Sequence, residues 1–213
     1  MENEFDGLDE AFDNDSNLIE ESEPFDLFRE WMGLAEKNEI NDPNAMSIAT
    51  VDNDGMPNAR MVLLKGMDDT GFTFYTNSQS QKGNELEDNM KAACVFHWKS
   101  LQRQIRIRGT VEKVSAEEAD AYFASRSRGS RIGAWASQQS RPISHRNDLK
   151  MAVVKQAARF KLGKIDRPEY WNGYKITPTY MEFWMDKPFR LHDRAIFKRQ
   201  SANEPWSYSK YFP

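Results

Sequence analysis

The sequence predicts an α+β domain, a barrel-like sheet with helices set around it. Short runs rich in apolar, β-branched and aromatic residues dominate the centre of the chain. Turn chemistry such as Asn53-Asp54-Gly55 and Asp68-Asp69-Thr70-Gly71 separates them, which joins neighbours as antiparallel hairpins. Helical spacing is confined to segments flanking those runs.

Taken in order, Ser22-Glu23-Pro24 reads as a helix start, with Ser22 as N-cap and proline in the first turn. Phe25, Phe28, Trp31, Met32 and Ala35 share one face, and the helix ends near Ile40-Asn41-Asp42-Pro43. Strands follow at 45–51, 60–65 and 72–76. A short helix covers 80–90, and strands cover 92–98 and 103–114. The long strand places Ile105, Ile107 and Val111 on one face and Gln104, Arg106 and Arg108 on the other. Ser115-Ala-Glu-Glu118 opens a helix in the capping-box pattern. A short helical piece at 132–137 and a clear helix at 147–160 come next. An extended segment, kinked at Pro178, covers 174–185, and final strands cover 195–199 and 206–211.

The 213 residues fit one ordinary domain over 23–213, preceded by a disordered arm over 1–22, with no internal repeat or low-complexity linker. A hydrophobic content of 39% and an aromatic content of 12% exclude disorder for most of the chain. No apolar run suits a membrane span, the N-terminus has no secretory signal pattern, and Cys94 stands alone. A reducing, cytoplasmic compartment follows. The net charge of −4 hides an asymmetry. Residues 1–26 carry eleven carboxylates and no lysine or arginine, which leaves 29 basic against 22 acidic side chains in the remainder. A basic folded part favours anionic partners, nucleic acid or phosphorylated metabolites.

Several chemistries are excluded. His97, His145 and His192 lack ligand spacing, so no metal site is expected. There is no nucleophile elbow, no dinucleotide glycine signature and no P-loop. Cys94, inside an apolar strand, reads as a plain buried thiol.

Four clusters remain. Tyr122 and Arg126 are four apart and share a helix face, with Ser130 just beyond in a glycine-containing loop. A guanidinium fork and two hydroxyls converging on a point make a phosphate site, and a solvated basic loop is the plain alternative. Arg60–Lys65 reads as a buried strand whose charged ends reach water. Arg106 and Arg108 read as a solvated sheet face. Finally, Arg190, His192 and Arg194 alternate, so in an extended segment all three point to one side. Three such groups repel one another unless an anion or an electron-rich ring sits among them.

In this order, these segments resemble the pyridoxamine 5′-phosphate oxidase family over roughly residues 24–213. The matching pieces are Ala45-Met46…Ala49-Thr50-Val51, Arg60-Met-Val-Leu-Leu-Lys65-Gly, Gly71-Phe-x-Phe-Tyr75-Thr76-Asn, Arg103-Gln104, Tyr122-Phe-x-Ser-Arg126, Ser130-x-Ile-Gly-Ala-Trp-x-Ser-x-Gln139-Ser140, Glu182-Phe-Trp184 and Arg190-Leu-His192-Asp-Arg194. The last is the sharpest.

The resemblance implies a split β-barrel homodimer with FMN in clefts between subunits. It places FMN contacts on Arg60, Met61, Val62, Leu63, Leu64, Lys65, Tyr75, Thr76, Lys82, Gln104, Gln139, Ser140, Trp184 and Arg194. It places the substrate phosphate on Lys65, Tyr122, Arg126 and Ser130, and sets Arg190 and His192 over the substrate ring as the catalytic pair. The implied reaction is oxidation of pyridoxamine or pyridoxine 5′-phosphate to pyridoxal 5′-phosphate, by hydride removal to the flavin, which O2 reoxidises with release of hydrogen peroxide.

The chain departs from the family pattern in three places. Gln81 stands where an arginine is usual, the N-terminal Arg-x-x-Tyr element is absent, and Lys210-Tyr-Phe-Pro213 replaces Arg-Leu-x-Pro. A non-catalytic flavin or pyridoxal-phosphate binding protein is the alternative from another class. A nucleic-acid binder using Arg126, Arg128 and Arg131 lacks an interleaved aromatic platform.

Overall fold

Phe28 explains how the first helix finds its place. In the computed structural model, which describes residues 23–161 and 163–213, helix α1 (Pro24–Asn38) buries Phe25, Leu27, Phe28, Trp31 and Ala35. Phe28 meets Phe72 and Phe96 edge-on at 4.8 and 5.1 Å, and Trp31 meets Phe183 at 5.3 Å. The N-cap is Glu23, without a side-chain cap bond. Ser22 and the expected arm over 1–22 lie outside the described residues.

The elements that follow are β1 (Ala45–Val51), β2 (Pro57–Leu63), β3 (Gly66–Asp68), β4 (Gly71–Asn77), α2 (Gln81–Asp88), β5 (Lys91–Trp98) and β6 (Arg103–Lys113). Next come α3 (Ala116–Ser125), α4 (Arg128–Ala136), α5 (Arg146–Phe160), β7 (Trp171–Met185), β8 (Asp193–Lys198) and β9 (Ser207–Lys210). Short 3-10 turns sit at Lys99–Leu101 and Pro188–Arg190.

The nine strands form one antiparallel sheet in the order β2-β1-β5-β6-β7-β4-β3, and β8 and β9 extend it from β7. The long strand β7 is the spine. It pairs with β6 along its length, with β4 over its first half and with β8 over its second. The inner face is a continuous apolar layer built on Met46, Ile48, Phe72, Phe96, Ile105 and Phe183, all at 0% exposure. Burying side chains of this size contributes about 1.5–3 kcal/mol each, which drives the curl of the sheet around α1.

Cys94 lies in this layer, and burial pushes its thiol up to about 12, consistent with an inert buried cysteine. Among the described residues no helix is long and apolar enough to cross a membrane.

The structure corrects several sequence expectations. Strand β2 starts at Pro57 and ends before Lys65, which sits in the link to the unanticipated β3. It is not a buried strand. It is an edge strand whose second face is open, with Met61 63% and Leu63 36% exposed. Helix α4 begins four residues earlier than expected, because Ser127 caps it by accepting from Ser130 N at 3.2 Å. Ser130 is therefore helical, not in a loop. The expected kink at Pro178 is a β-bulge in which Thr179 is the extra residue opposite Arg108 and Gly109. Only glycine fits at 109, because a Cβ there would lie 2.0 Å from the Thr177 carbonyl oxygen.

Candidate functional site

The Trp171 end of β7 holds a stack of three rings. Tyr75 from β4 lies across Gly173, whose missing Cβ would otherwise sit 2.6 Å from the tyrosine ring. Trp171 lies against Tyr75 at 5.2 Å and Tyr122 from α3 stacks on Tyr75 at 4.0 Å, with interplanar angles of 10° and 16°, and Tyr122 and Trp171 are themselves 6.0 Å apart and near-parallel. The Arg126 guanidinium carbon lies 4.8 Å from the Trp171 ring.

Arg126 is the C-cap of α3, with ψ at 151°, so it leaves the helix face expected for it and turns toward Trp171. Its Nη1 is buried and has no hydrogen-bond partner. Burial lowers its pKa, with the Tyr122 charge opposing. A buried donor left unpaired is costly, and an anionic acceptor relieves that cost.

The capping box at the start of α3 is half made. Ser115 accepts from Glu118 N at 3.1 Å, while the Glu118 carboxylate accepts from the Tyr75 hydroxyl at 3.2 Å. Burial, and then Glu118, holds the Tyr75 hydroxyl well above its usual range, so it remains a donor. A 270 Å³ cavity brings Tyr75, Thr76, Arg126, Gln139 and Trp171 together. Ser140 follows Gln139 with φ at 69°.

Next to this cavity is a buried charge cluster. Ser80 caps α2 and sets Lys82 in its first turn, where Nζ donates to Thr76 Oγ1 at 2.8 Å. Lys82 is only 7% exposed, and burial, reinforced by the Arg60 charge, lowers its pKa. Arg60 from β2 donates to Glu85 at 2.9 Å and Asn58 donates to the same carboxylate at 3.0 Å, with Thr50 completing the set. Burial pushes Glu85 up, but these hydrogen bonds outweigh it and hold its carboxyl below the usual range. Two cations against one carboxylate leave a net positive site with hydroxyl and ammonium donors.

Lys65 is not brought into this cavity. It opens on a separate groove beside α1, with Phe28, Met32 and Met67. Gln81, at the first turn of α2, is exposed.

The other end of β7 is different. Gln104, Trp184 and Arg194 face one another across β6, β7 and β8. The His192 ring lies 4.7 Å from Trp184 at 48°. Its Nδ1 sits 2.8 Å from Asp186 Oδ1 and 3.3 Å from the Lys187 backbone nitrogen. Protonated, Nδ1 donates to Asp186; bare, it accepts from Lys187.

The segment from Arg190 to Arg194 is not extended throughout, so the expected alternation fails. Pro188–Arg190 is a 3-10 turn with positive φ at Phe189 and Arg190, and β8 begins only at Asp193. Arg190 is exposed, with no hydrogen-bond or ion-pair partner among the described residues. Arg106 was read as solvated, yet it pairs with buried Glu182 at 2.9 Å, while Arg108 is exposed.

The two groups cannot meet within one chain. The 15-residue β7 separates them, and at about 3.3 Å per residue a strand of that length spans on the order of 45 Å. Sequence reasoning missed Trp171, Glu85 and Asp186. Trp171 carried a signal, as an aromatic at the head of the longest strand; the two carboxylates are identified only by their partners in space.

The profile described as "Pyridoxamine 5′-phosphate oxidase" matches residues 35–159, and that of the "Pyridoxine 5′-phosphate oxidase C-terminal dimerisation region" matches 171–213. The pyridoxine/pyridoxamine 5′-phosphate oxidase 2 of Ralstonia nicotianae is 61% identical over 203 residues, 95% of each chain. The pyridoxine/pyridoxamine 5′-phosphate oxidase of Sinorhizobium fredii is 60% identical, covering 92% of this chain and 96% of its own. Among solved structures, PhzG from Burkholderia lata, in complex with tetrahydrophenazine-1-carboxylic acid, superposes with a TM-score of 0.84 at 29% identity over 96% of both chains. A pyridoxamine 5′-phosphate oxidase-related, FMN-binding protein from Nostoc punctiforme shares the fold with a TM-score of 0.71 at 15% identity, covering 90% of this chain and 99% of its own.

Proposed function

The chain belongs to the pyridoxamine 5′-phosphate oxidase family, and from that premise we propose that it oxidises pyridoxamine or pyridoxine 5′-phosphate to pyridoxal 5′-phosphate, with FMN as cofactor and as a cytoplasmic homodimer. The observation that carries this reading is the division of the site between the two ends of β7. Each end holds half of what two phosphate-bearing ligands need, and a two-fold pair of chains can bring unlike ends together twice. The matched dimerisation region includes the whole of β7.

The donor set fits an FMN phosphate. Arg60, Lys82 and Thr76 present cations and a hydroxyl around a single carboxylate. The resemblance adds Tyr75, Gln139, Ser140, Met61, Val62, Leu63, Leu64 and Lys65 to the FMN contacts; of these, Tyr75 and Gln139 line the cavity beside Thr76, while Leu64 and Lys65 open on the separate groove beside α1. Gln104, Trp184 and Arg194 come from the other end of a second copy. Bound FMN would supply a two-electron acceptor for the hydride leaving the substrate C4′ carbon and would pass those electrons to O2 as hydrogen peroxide; the alcohol gives the aldehyde directly, and the amine gives an imine that water hydrolyses to the aldehyde and ammonia.

The protein's own part is positioning. The Arg126 fork, with the Tyr122 and Ser130 hydroxyls, receives the substrate phosphate, which answers the unpartnered Nη1; the resemblance adds the Lys65 ammonium, which within one chain opens on a separate groove. Arg190 lays its planar guanidinium along the pyridine ring, and His192, held by Asp186, borders the same ring.

The test is direct. Purified protein should carry yellow flavin absorbance or take up added FMN. It should then form aldehyde and peroxide from pyridoxamine 5′-phosphate. A protein that binds FMN and pyridoxal 5′-phosphate but turns over neither substrate would instead be the non-catalytic binder.

A further inference from the structure

Glu182 is the most heavily bonded carboxylate at the Trp184 end of β7, and nothing in the reading above uses it. It is 2% exposed. Its Oε1 accepts from Arg194 Nε at 3.0 Å, with Arg194 Nη2 also 3.0 Å away. Its Oε2 receives Arg106 Nη2 at 2.9 Å and the Tyr180 hydroxyl. Register explains the convergence, since Arg106 and Ile196 flank Glu182 on β6 and β8, while Arg194 sits two pairs further along β8, opposite Trp184 and on the same face. Arg194 is pinned a second time, because Nη1 donates to the Phe212 carbonyl at 2.9 Å.

A buried carboxylate is expensive unless its lone pairs are filled. Here all of its neighbours are donors, and the cluster of one anion with two guanidinium groups is left net positive. An arginine side chain ordinarily forfeits rotamer freedom when a ligand freezes it. Arg194 is already held at Nε and Nη1, so that loss has been taken on folding. The N–H groups it has left, on Nη1 and Nη2, are presented in a fixed direction.

We propose that Glu182 is a positioning residue for the flavin half-site, acting through Arg194. It sets the direction of the guanidinium and leaves one net positive charge there for an anionic or electron-rich ligand. This rests on the reading that Arg194 contacts FMN.

The experiment is a double-mutant cycle read by quenching of FMN fluorescence as apoprotein is added, a measure independent of turnover. Glu182→Gln should raise the FMN dissociation constant about tenfold, the range found when an outer partner of a binding group is removed. In an Arg194→Met background the same change should have no further effect. Glu182→Asp, which keeps the charge, should recover part of the loss, and it stands in for the glutamine variant if that one does not fold. Equal weakening in both backgrounds, or unchanged FMN affinity in Glu182→Gln, overturns the proposal. Arg194→Met with unchanged FMN affinity overturns the flavin role of Arg194, a separate failure.

Discussion

The two ends of β7 are built in opposite ways. At the Trp171 end, side chains come from β4, α3 and α4 and pack into a stack of rings with little freedom. Its arginine is partly buried and short of a partner. At the Met185 end, Arg190 stands on an exposed turn with left-handed backbone, while Glu182 and the Phe212 carbonyl fix Arg194 and Asp186 holds His192. The first end carries its strain in desolvation, the second in conformation. A site made of both is rigid where the phosphate is to be held and adjustable where the ring is to be covered.

The largest expected effect comes from breaking the packed end. Arg126→Met should cost about 3 kcal/mol of transition-state binding, about 100-fold in kcat/KM for the phosphorylated amine. The unphosphorylated amine, which makes no use of the fork, should be unaffected. Because the unpartnered donor goes with the arginine, the melting temperature of the apoprotein should not fall. An equal loss on both substrates would place the phosphate elsewhere.

At the exposed end, Arg190→Lys keeps the charge and loses the plane. A drop of about tenfold in kcat/KM with unchanged melting temperature is expected. Wild-type kinetics in this variant would remove the stacking role.

The smallest effect is one of pH. Burial lowers the pKa of Lys82, so its ammonium is intact below that value and is lost as pH rises through it. FMN affinity should therefore weaken by a few-fold, about 1 kcal/mol, as pH rises through that lowered value. In Lys82→Met the affinity should be lower throughout and flat over the same range. A wild-type profile as flat as the variant's would mean that the ammonium is not a phosphate ligand.

Much of the fold was legible because the period-2 burial of β1, β5 and β6 is written in their residues, and the end of α1 and the start of α3 in theirs. Helix α4 was underestimated because Ser-Arg-Gly-Ser has loop composition; its cap and the packing of Trp135 against Phe160 and Tyr170 override local preference. The Arg190-Leu-His192-Asp-Arg194 motif was given the wrong geometry. Alternation presumes a strand, and Pro188 with two positive-φ residues makes a turn. The buried partners Glu85, on α2 against β1 and β2, and Glu182, across β6 and β8, depend on contacts between elements distant in sequence, which no local window contains.

The bulge at Thr179 has a consequence for phase. Along an uninterrupted strand, residues separated by an odd number of positions face opposite ways, so Trp171 and Trp184 would look to different sides of the sheet. The additional residue opposite Arg108 and Gly109 shifts the count by one midway. Inward positions are odd-numbered beyond it, at Met181 and Phe183, and even-numbered before it, at Tyr174 and Ile176. Both tryptophans thus face outward together. Removing Thr179 would leave either end intact on its own while rotating one of them by half a turn, so that a single outward surface could no longer present both.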